Sequence, residues 1–266
     1  MVRSPSGGSR ESGQAAVESA LTLPLVVFLI LGTLQLFMLF HGRILTQLAA
    51  FAATRAGSVA HGNCDRMVDA ALIQVMPAIE AFARPGIPSA GANLAAAFST
   101  RRNNRYNETV SDGGNVNAYT GSIIWIVRQW PLAAAVQGMA DGEDKDFDEP
   151  VGQTIGSQRL EVRLIFWYPM RIPFANWVLS KMFLVNFRLQ SYTAQNPLMQ
   201  TQTANWTPAT SGTYSLDAAI GAEMLNRAAR NEYVFPITAS YTMRMMTPAK
   251  AVNFATQNCP PTPAAL

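Results

Sequence analysis

The chain has 266 residues, which suits one globular domain together with a membrane segment. Apolar residues make up 49% of it and charged residues 14%, so the net charge of +3 rests on few side chains. No long stripe of lysine and arginine is present, which argues against a protein that binds nucleic acid.

A short polar leader precedes a long apolar segment. Arg3 and Arg10 are the cations of the leader, and no charged residue lies between Glu18 and Arg43. As a helix, residues 19–42 would be about 36 Å long, which is enough to cross a hydrocarbon core of roughly 30 Å. Positive charge before the first apolar segment favours a cytoplasmic N-terminus. We therefore predict a membrane-spanning helix with the rest of the chain, the head, on the far side of the membrane.

Three interpretations of this N-terminus compete. A cleaved secretory signal has an apolar region of about 7–15 residues, which is shorter than this one, although Ala50 to Ala52 could serve as its cleavage site. A plain signal anchor accounts for the length but not for Glu18 at the membrane edge. The third interpretation is a type IV prepilin leader, in which a glycine, four further residues and a glutamate open an apolar helix. Gly13 and Glu18 have this spacing.

The chemistry of these residues supports the third interpretation. Gly13 has no side chain, so a protease can bind the backbone there in an extended form. Glu18 is costly in hydrocarbon unless it is paired, and cleavage after Gly13 would create an ammonium group on Gln14 that can pair with Glu18 of a neighbouring subunit. In the alternative, Glu18 is the solvated end of an anchor, where an acid suits the helix dipole.

The segment that opens at Gly13 and contains Val17-Glu18 and Pro24 resembles the start of TadE/TadG-like pilin (pseudopilin) subunits of tight-adherence (Flp-type, type IVc) pili. Residues 53–58, Ala-Thr-Arg-Ala-Gly-Ser, are similar to the Ala-Arg-Ala-Gly that closes the N-terminal module of that family. The resemblance covers about 45 residues. The head of about 200 residues is a departure, because many members of the family are shorter.

This resemblance implies a function and a location. Gly13 and Gln14 would form the processing site, and Glu18 and Pro24 would serve assembly. The implied partners are a prepilin peptidase, other pilin subunits and the bacterial inner membrane, from which the protein would pass to a pilus on the cell surface with its head outside the cytoplasm. A single-pass, membrane-anchored periplasmic module that never enters a filament is the alternative, and a secreted enzyme comes third.

The helical pattern continues beyond the membrane segment. Residues 1–13 are interpreted as the leader, residues 14–60 as one long helix with bends near Pro24 and Gly32, and residues 61–266 as the head. The alanines at positions 49, 50, 52, 53 and 56 make a narrow surface that suits packing against related helices in a filament. Alternatively, this half of the helix packs on its own head.

Cys64 and Cys259 lie near the two ends of the head. Because there is no Cys-x-x-Cys and no cluster of cysteine with histidine, a metal or redox motif is not indicated. In a periplasmic or surface compartment we predict one disulfide between them. The chain-entropy model gives such a bond about 5 kcal/mol as an upper value. Two unrelated buried thiols are the alternative.

The head is predicted to be α+β, with an antiparallel sheet of about four strands covered on one face by helices. A helix over residues 66–82 would be capped by Asp65 and kinked at Pro77, and a second would run over residues 215–230 with Ser215 as its cap. The strand candidates are residues 122–130, 158–168, 183–194 and 233–246, of which the second shows a clear alternation of apolar residues.

An aromatic segment follows the second strand candidate. Residues 168–175 are similar to a stretch in the heads of TadE-like proteins, and Phe174, Trp177 and Leu179 begin a short helical or looped segment. Such residues belong either to the core or to a subunit contact, and the core is favoured here.

Evidence for cofactors or catalysis is sparse. Asp144, Asp146 and Asp148 alternate in an acidic run that resembles a calcium loop, but the run lacks the glycine and distal glutamate of an EF-hand, so a solvated loop is favoured. The histidines are His41 and His61, and no HExxH or GxSxG motif is present. We therefore expect a structural protein, a minor or tip subunit with no bound cofactor, and not an enzyme.

Overall fold

A computed structural model describes residues 11–79, 90–106, 121–137, 159–190, 192–196, 199–206 and 216–266. The helices in these residues are α1 (Glu11–Val59), α2 (Cys64–Ile79), α3 (Ala90–Arg101), α4 (Ala133–Gln137), α5 (Ala175–Asn186) and α6 (Ala218–Ala229). The strands are β1 (Ile124–Trp130), β2 (Arg159–Pro169), β3 (Tyr192–Asn196), β4 (Met199–Trp206) and β5 (Val234–Arg244). The fold is α+β, as the sequence predicted.

A three-stranded antiparallel sheet in the order β1-β2-β5 forms the centre of the head. These strands confirm three of the four strand candidates. The β2 strand alternates as expected because successive side chains of a strand point to opposite faces. Leu160, Val162 and Leu164 lie in one apolar cluster, whereas Ile165 and Trp167 lie in another on the opposite face. β3 and β4 form a separate two-stranded hairpin.

The strand predicted over residues 183–194 is wrong. Residues 183–186 are the last turn of α5, and β3 begins at Tyr192. The aromatic side chains explain the difference. Phe183 and Phe187, four residues apart, lie with ring centroids 4.4 Å and 6.3 Å from that of Phe235 on β5. Both can reach one ring because positions i and i+4 share a face of a helix.

Helices cover both faces of the sheet rather than one. On one face, Ala49 and Ala53 of α1 and Leu72 of α2 are buried against the first cluster. On the other face, Leu184 of α5 and Met224 of α6 are buried against the second. The second half of α1 is therefore part of the core of the head.

The direction of α1 relative to β2 follows from two close approaches. Gly57 lies against Leu160 at the start of β2, and Gly42 lies against Tyr168 at its end. The two elements therefore run antiparallel, and the end of β2 lies nearest to the apolar segment of residues 19–42.

The helix starts differ from the prediction. In α2 the cap is Asn63, whose Oδ1 accepts a hydrogen bond of 3.1 Å from the backbone N–H of Arg66, whereas Asp65 lies in the first turn. Pro77 lies inside α2 as expected. Helix α6 has Asp217 at its N-cap position, and Ser215 lies outside the described residues.

The predicted disulfide between Cys64 and Cys259 is confirmed, with a Cα–Cα distance of 5.3 Å. A buried arginine holds the same C-terminal segment. The guanidinium of Arg128 donates hydrogen bonds to the backbone carbonyls of four residues: Gly62, Asn253, Thr256 and Gln257. It also lies 4.0 Å from the centroid of the Phe254 ring. Burial lowers the pKa of Arg128 to about 10, so the side chain remains charged at neutral pH.

Candidate functional site

The candidate site is α1 itself, a helix of 49 residues. At 1.5 Å per residue it is about 74 Å long. Among the described residues it is the one helix that is long and apolar enough to cross a membrane, and only 6% of its most apolar stretch is buried. The predicted single long helix is therefore present and runs without interruption through Pro24 and Gly32.

The face of α1 that meets the head consists of small and polar residues. Ala49, Ala50 and Ala53 are fully buried or nearly so, as are Gly42 and Thr46. These three alanines therefore pack on the protein's own head, and the expectation that they face other subunits is wrong for them, whereas Ala52 and Ala56 are partly exposed. Small side chains let the helix axis lie close to the sheet, which a row of leucines would prevent.

The opposite face of α1 carries the large apolar residues. Phe37 is 71% exposed and Phe40 is 62% exposed. The exposed apolar residues recur at helical spacing on both sides of Arg43, namely Leu29, Leu36, Phe37, Phe40, Ile44 and Leu48. Residues 44–48 lie beyond the charge-free segment, so lipid does not account for the whole of this face. Exposed apolar surface of this kind marks interaction sites.

Several polar groups in the charge-free segment of residues 19–42 have hydrogen-bond partners within the protein. The hydroxyl of Thr22 donates a 2.9 Å hydrogen bond to the backbone carbonyl of Glu18, and that of Thr33 donates one of 2.8 Å to the carbonyl of Ile30. Gln35 is fully buried, and its Oε1 accepts a 3.0 Å hydrogen bond from the N–H of Ile172 in the head. The Nε2 of Gln35 is buried without a hydrogen-bond partner among the described residues, so this side chain is only half satisfied, although no water is present in hydrocarbon to replace a missing hydrogen bond.

The predicted processing and assembly residues all lie on α1. Gly13 and Gln14 belong to its first turn, Glu18 follows one turn after Gln14, and Pro24 lies within the helix. Glu18 is exposed and so is accessible to a neighbouring molecule. Pro24 is tolerated in the helix although it lacks the N–H that would bond to the preceding turn.

The remaining residues singled out in the sequence are three aspartates and two histidines. Asp144, Asp146 and Asp148 lie outside the described residues. His41 is exposed on α1, and His61 lies 20 residues further along with its Nδ1 2.8 Å from the carbonyl oxygen of Pro248. In the part of the chain that the structure describes, no group of three or more histidine, cysteine, aspartate or glutamate side chains could hold a metal ion.

Two features were not recognised from the sequence. Phe174 and Trp177 are 56% and 49% exposed, so their assignment to the core is wrong. Two features of the sequence could have indicated an exposed helical face. Phe174 and Trp177 have helical spacing with Lys181, and residues 170–190 contain no aspartate or glutamate. The second unrecognised feature is Arg128, the one cation of β1, which follows four apolar residues.

Comparison with known proteins gives one match. Residues 13–55 match the family described as TadE-like protein. The match begins at Gly13, ends at Arg55, lies entirely within α1 and covers about a sixth of the chain. No curated protein and no solved structure matches the chain. The family match therefore concerns α1 alone, and the head is described from its structure without a related protein.

Proposed function

We propose, from the premise that residues 13–55 are TadE-like, that the protein is a pilin-like structural subunit of a tight-adherence pilus. One observation carries the proposal. The TadE-like segment coincides with a helix that its own head covers on one face and leaves apolar and exposed on the other. The alternative, an anchored module that never enters a filament, gives no role to the exposed residues beyond Arg43.

The proposed assembly begins in the inner membrane. A prepilin peptidase cuts after Gly13 and leaves an ammonium group on Gln14. Glu18, which is exposed at the membrane edge, then pairs with that group on a neighbouring subunit. Pairing removes the cost of taking the carboxylate into an apolar bundle, because an unpaired charge there is strongly unfavourable.

The exposed face of α1 would then pass from lipid to protein. Phe37, Phe40 and Ile44 would pack against helices of neighbouring subunits, while Ala49 and Ala53 remain on the head. Since lipid tails are as apolar as these side chains, close packing rather than the hydrophobic effect must favour the bundle within the membrane. Above the membrane, removal of Ile44 and Leu48 from water adds a hydrophobic contribution.

The size of the head favours a minor or tip position, because about 200 residues at every repeat would crowd a filament. The proposed role is structural, with no catalysis and no bound cofactor, and calcium binding by Asp144, Asp146 and Asp148 is not part of it. The head would cap or decorate the filament on the outer side of the membrane.

Two measurements test the proposal. Mass spectrometry of the protein from cells with the peptidase should find Gln14 as the first residue, and an intact N-terminus would instead support the anchored module. In the second, Glu18→Gln should sharply reduce the amount of this protein in sheared filaments. Glu11→Gln is the matched control, since Glu11 lies in the same helix but is removed with the leader. Normal incorporation of the Glu18→Gln protein would refute the assembly mechanism.

A further inference from the structure

Part of the head lies beside the membrane-crossing portion of α1 rather than above it. The ring of Phe174, just before α5, is 5.7 Å from the ring of Phe28 between centroids, in an edge-to-face contact. The N–H of Ile172 bonds to Gln35. Both contacts are made to residues inside the charge-free segment of residues 19–42.

The depth of this contact can be worked out from helix geometry. Residues 19–42 are about 36 Å long, and a hydrocarbon core of roughly 30 Å occupies about 20 of them. If the core begins at residue 19 it ends near Met38, and Phe28 is then about 15 Å below the surface on the side of the head. If the core begins later, Phe28 lies deeper still. No placement of the hydrocarbon core within residues 19–42 keeps Phe174 in water.

The direction of α5 agrees with this depth. Its first turn lies at the level of Phe28, and its last turn packs through Phe183 against Phe235, which pairs with Tyr168 on β2. Tyr168 in turn contacts Gly42 of α1. Helix α5 therefore runs alongside α1 from the middle of the charge-free segment to its outer end.

The outward face of α5 is largely apolar, and Lys181 is the one cation within the helix. Phe174, Trp177 and Met182 are each about half exposed. Residues 170–190 contain no aspartate or glutamate, and their cations are Arg171, Lys181 and Arg188. Arg171 lies next to Ile172, at the level of Gln35 and so near the outer surface, where a long cationic side chain can reach lipid phosphates.

The start of α5 has hydrogen-bond partners where most helices rely on water. The first four N–H groups of a helix lack partners within it. Three of them belong to residues 175–177, and they donate to Pro173 O, Ile172 O and Asn176 Oδ1 at 2.8, 2.9 and 2.7 Å; the ordinary helical bonds then begin with the N–H of Val178 and the carbonyl of Phe174 at 3.1 Å. The side-chain amide of Asn176 also donates to the carbonyl of Met170 at 3.3 Å. A helix end in hydrocarbon must be satisfied in this way, because each unpaired group costs several kcal/mol there.

The turn before α5 is also unusual. Phe174 has φ 67° and ψ −53° and is the central residue of a γ-turn closed by the bond from Ala175 N to Pro173 O. This conformation is rare and strained, and positive φ is unfavourable for a bulky side chain. The strained turn directs an exposed aromatic ring towards Phe28 rather than into the core of the head.

We propose that α5 and its preceding turn are inserted into the head-side half of the bilayer, beside α1. The head is thus held to the membrane by two elements, one that spans it and one that enters it partway. The occupant of the exposed face is lipid acyl chain, with Arg171 at the level of the phosphates. The proposal rests on α1 crossing a bilayer and is independent of whether the chain enters a pilus.

The test uses tryptophan fluorescence of the full chain. The protein is reconstituted at low density into vesicles of phosphatidylcholine and phosphatidylglycerol, with or without bromine on the acyl chains, since bromine quenches tryptophan on contact. Trp177→Phe should remove most of the bromine-quenched emission. Trp130→Phe is the matched control. Trp130 is also partly exposed but pairs with Glu161 at the far end of β2, about 40 Å along α1 from Phe28, so its loss should leave the quenched component intact.

Two results would overturn the proposal. One is equal quenching of the wild type and the Trp177→Phe protein, or no quenching of either. The other is Trp177 emission that changes with protein density and not with bromine, which would assign this face to a second copy of the chain. Non-reducing electrophoresis that shows the disulfide between Cys64 and Cys259 verifies that each variant has folded. Neither result bears on cleavage after Gly13, so this test and that of the pilus proposal can fail separately.

Discussion

Replacing Gly42 by alanine should destabilise the head, because no room exists there for a methyl group. A Cβ at Gly42 would lie 2.6 Å from Cδ2 and 2.8 Å from Cε2 of Tyr168, and 3.2 Å from Cδ1 of Ile237. The Tyr168 ring is 2% exposed and packs edge-to-face on Phe166 at 5.8 Å. It cannot turn aside without disturbing that contact, so either the ring or α1 must move.

The expected loss follows from two opposing effects. Overpacking of a well-packed core costs about 1–3 kcal/mol. Alanine favours a helix over glycine by about 1 kcal/mol. This gain contributes to the free energy of unfolding only if residue 42 becomes non-helical when the head unfolds. In detergent micelles, where α1 stays helical, the free energy of unfolding should fall by about 1–3 kcal/mol. The melting temperature should fall by roughly 2–4 °C for each kcal/mol.

The assay is urea unfolding of the full chain in micelles, followed by near-ultraviolet circular dichroism of its tryptophans. Gly32→Ala is the matched control in the same helix, because a Cβ there meets nothing within 4 Å. It should change the free energy of unfolding by no more than about 0.5 kcal/mol. Equal stability of the two variants would refute the conclusion that α1 contacts the sheet as closely as described.

Two further predictions concern the head. Reduction of the Cys64–Cys259 bond, which joins residues 195 apart in sequence, should lower the free energy of unfolding by about 2–5 kcal/mol. An unchanged urea midpoint in the presence of reductant would contradict this prediction. As a control, the stability of a variant with both cysteines replaced by serine should not change with reductant. Burial raises the pKa of the Tyr106 hydroxyl above its ordinary 10.0. Above about pH 10 the folded state therefore keeps a proton that the unfolded state loses. The free energy of unfolding of the wild type should then fall relative to that of Tyr106→Phe as the pH rises. The lowered pKa of Arg128 favours the folded state in the same pH range, but this effect is the same in the wild type and in Tyr106→Phe and cancels when the two are compared. Parallel profiles of stability against pH for the two proteins would contradict the raised pKa of Tyr106.

The central strands could be predicted because their pattern is local. In β2 the alternation of Leu160, Val162 and Leu164 with other residues gives the faces directly, and the sheet places each face in its own apolar cluster. The α5 region could not be predicted in this way. Phe183 and Val185 are good strand formers, and what favours a helix here is the contact of Phe183 with the ring of Phe235, which is distant in sequence.

The motif of the candidate site is also local, which is why Gly13, Glu18 and Pro24 could be proposed from the sequence alone. The orientation of α1 could not. Its alanines and its phenylalanines are both apolar, and periodicity shows that two faces exist without showing which of them meets the head. Ala49 and Ala53 are buried because the sheet fits closely against a narrow surface, and Phe37 and Phe40 remain exposed as a result.

The membrane depth proposed for α5 has a consequence for the proposed filament assembly. If α1 leaves the bilayer for a bundle, α5 must leave with it, since Phe174 is packed on Phe28 and Ile172 is bonded to Gln35. Phe174, Trp177 and Met182 then exchange lipid for either water or protein. Exposure of these side chains to water would cost, for each, about half of the 1.5–3 kcal/mol that full burial contributes, because each is already about half buried by the head. A filament position is therefore favourable only where a neighbouring subunit covers α5 as well as the open face of α1, and this requirement limits the sites in a pilus that the subunit can occupy.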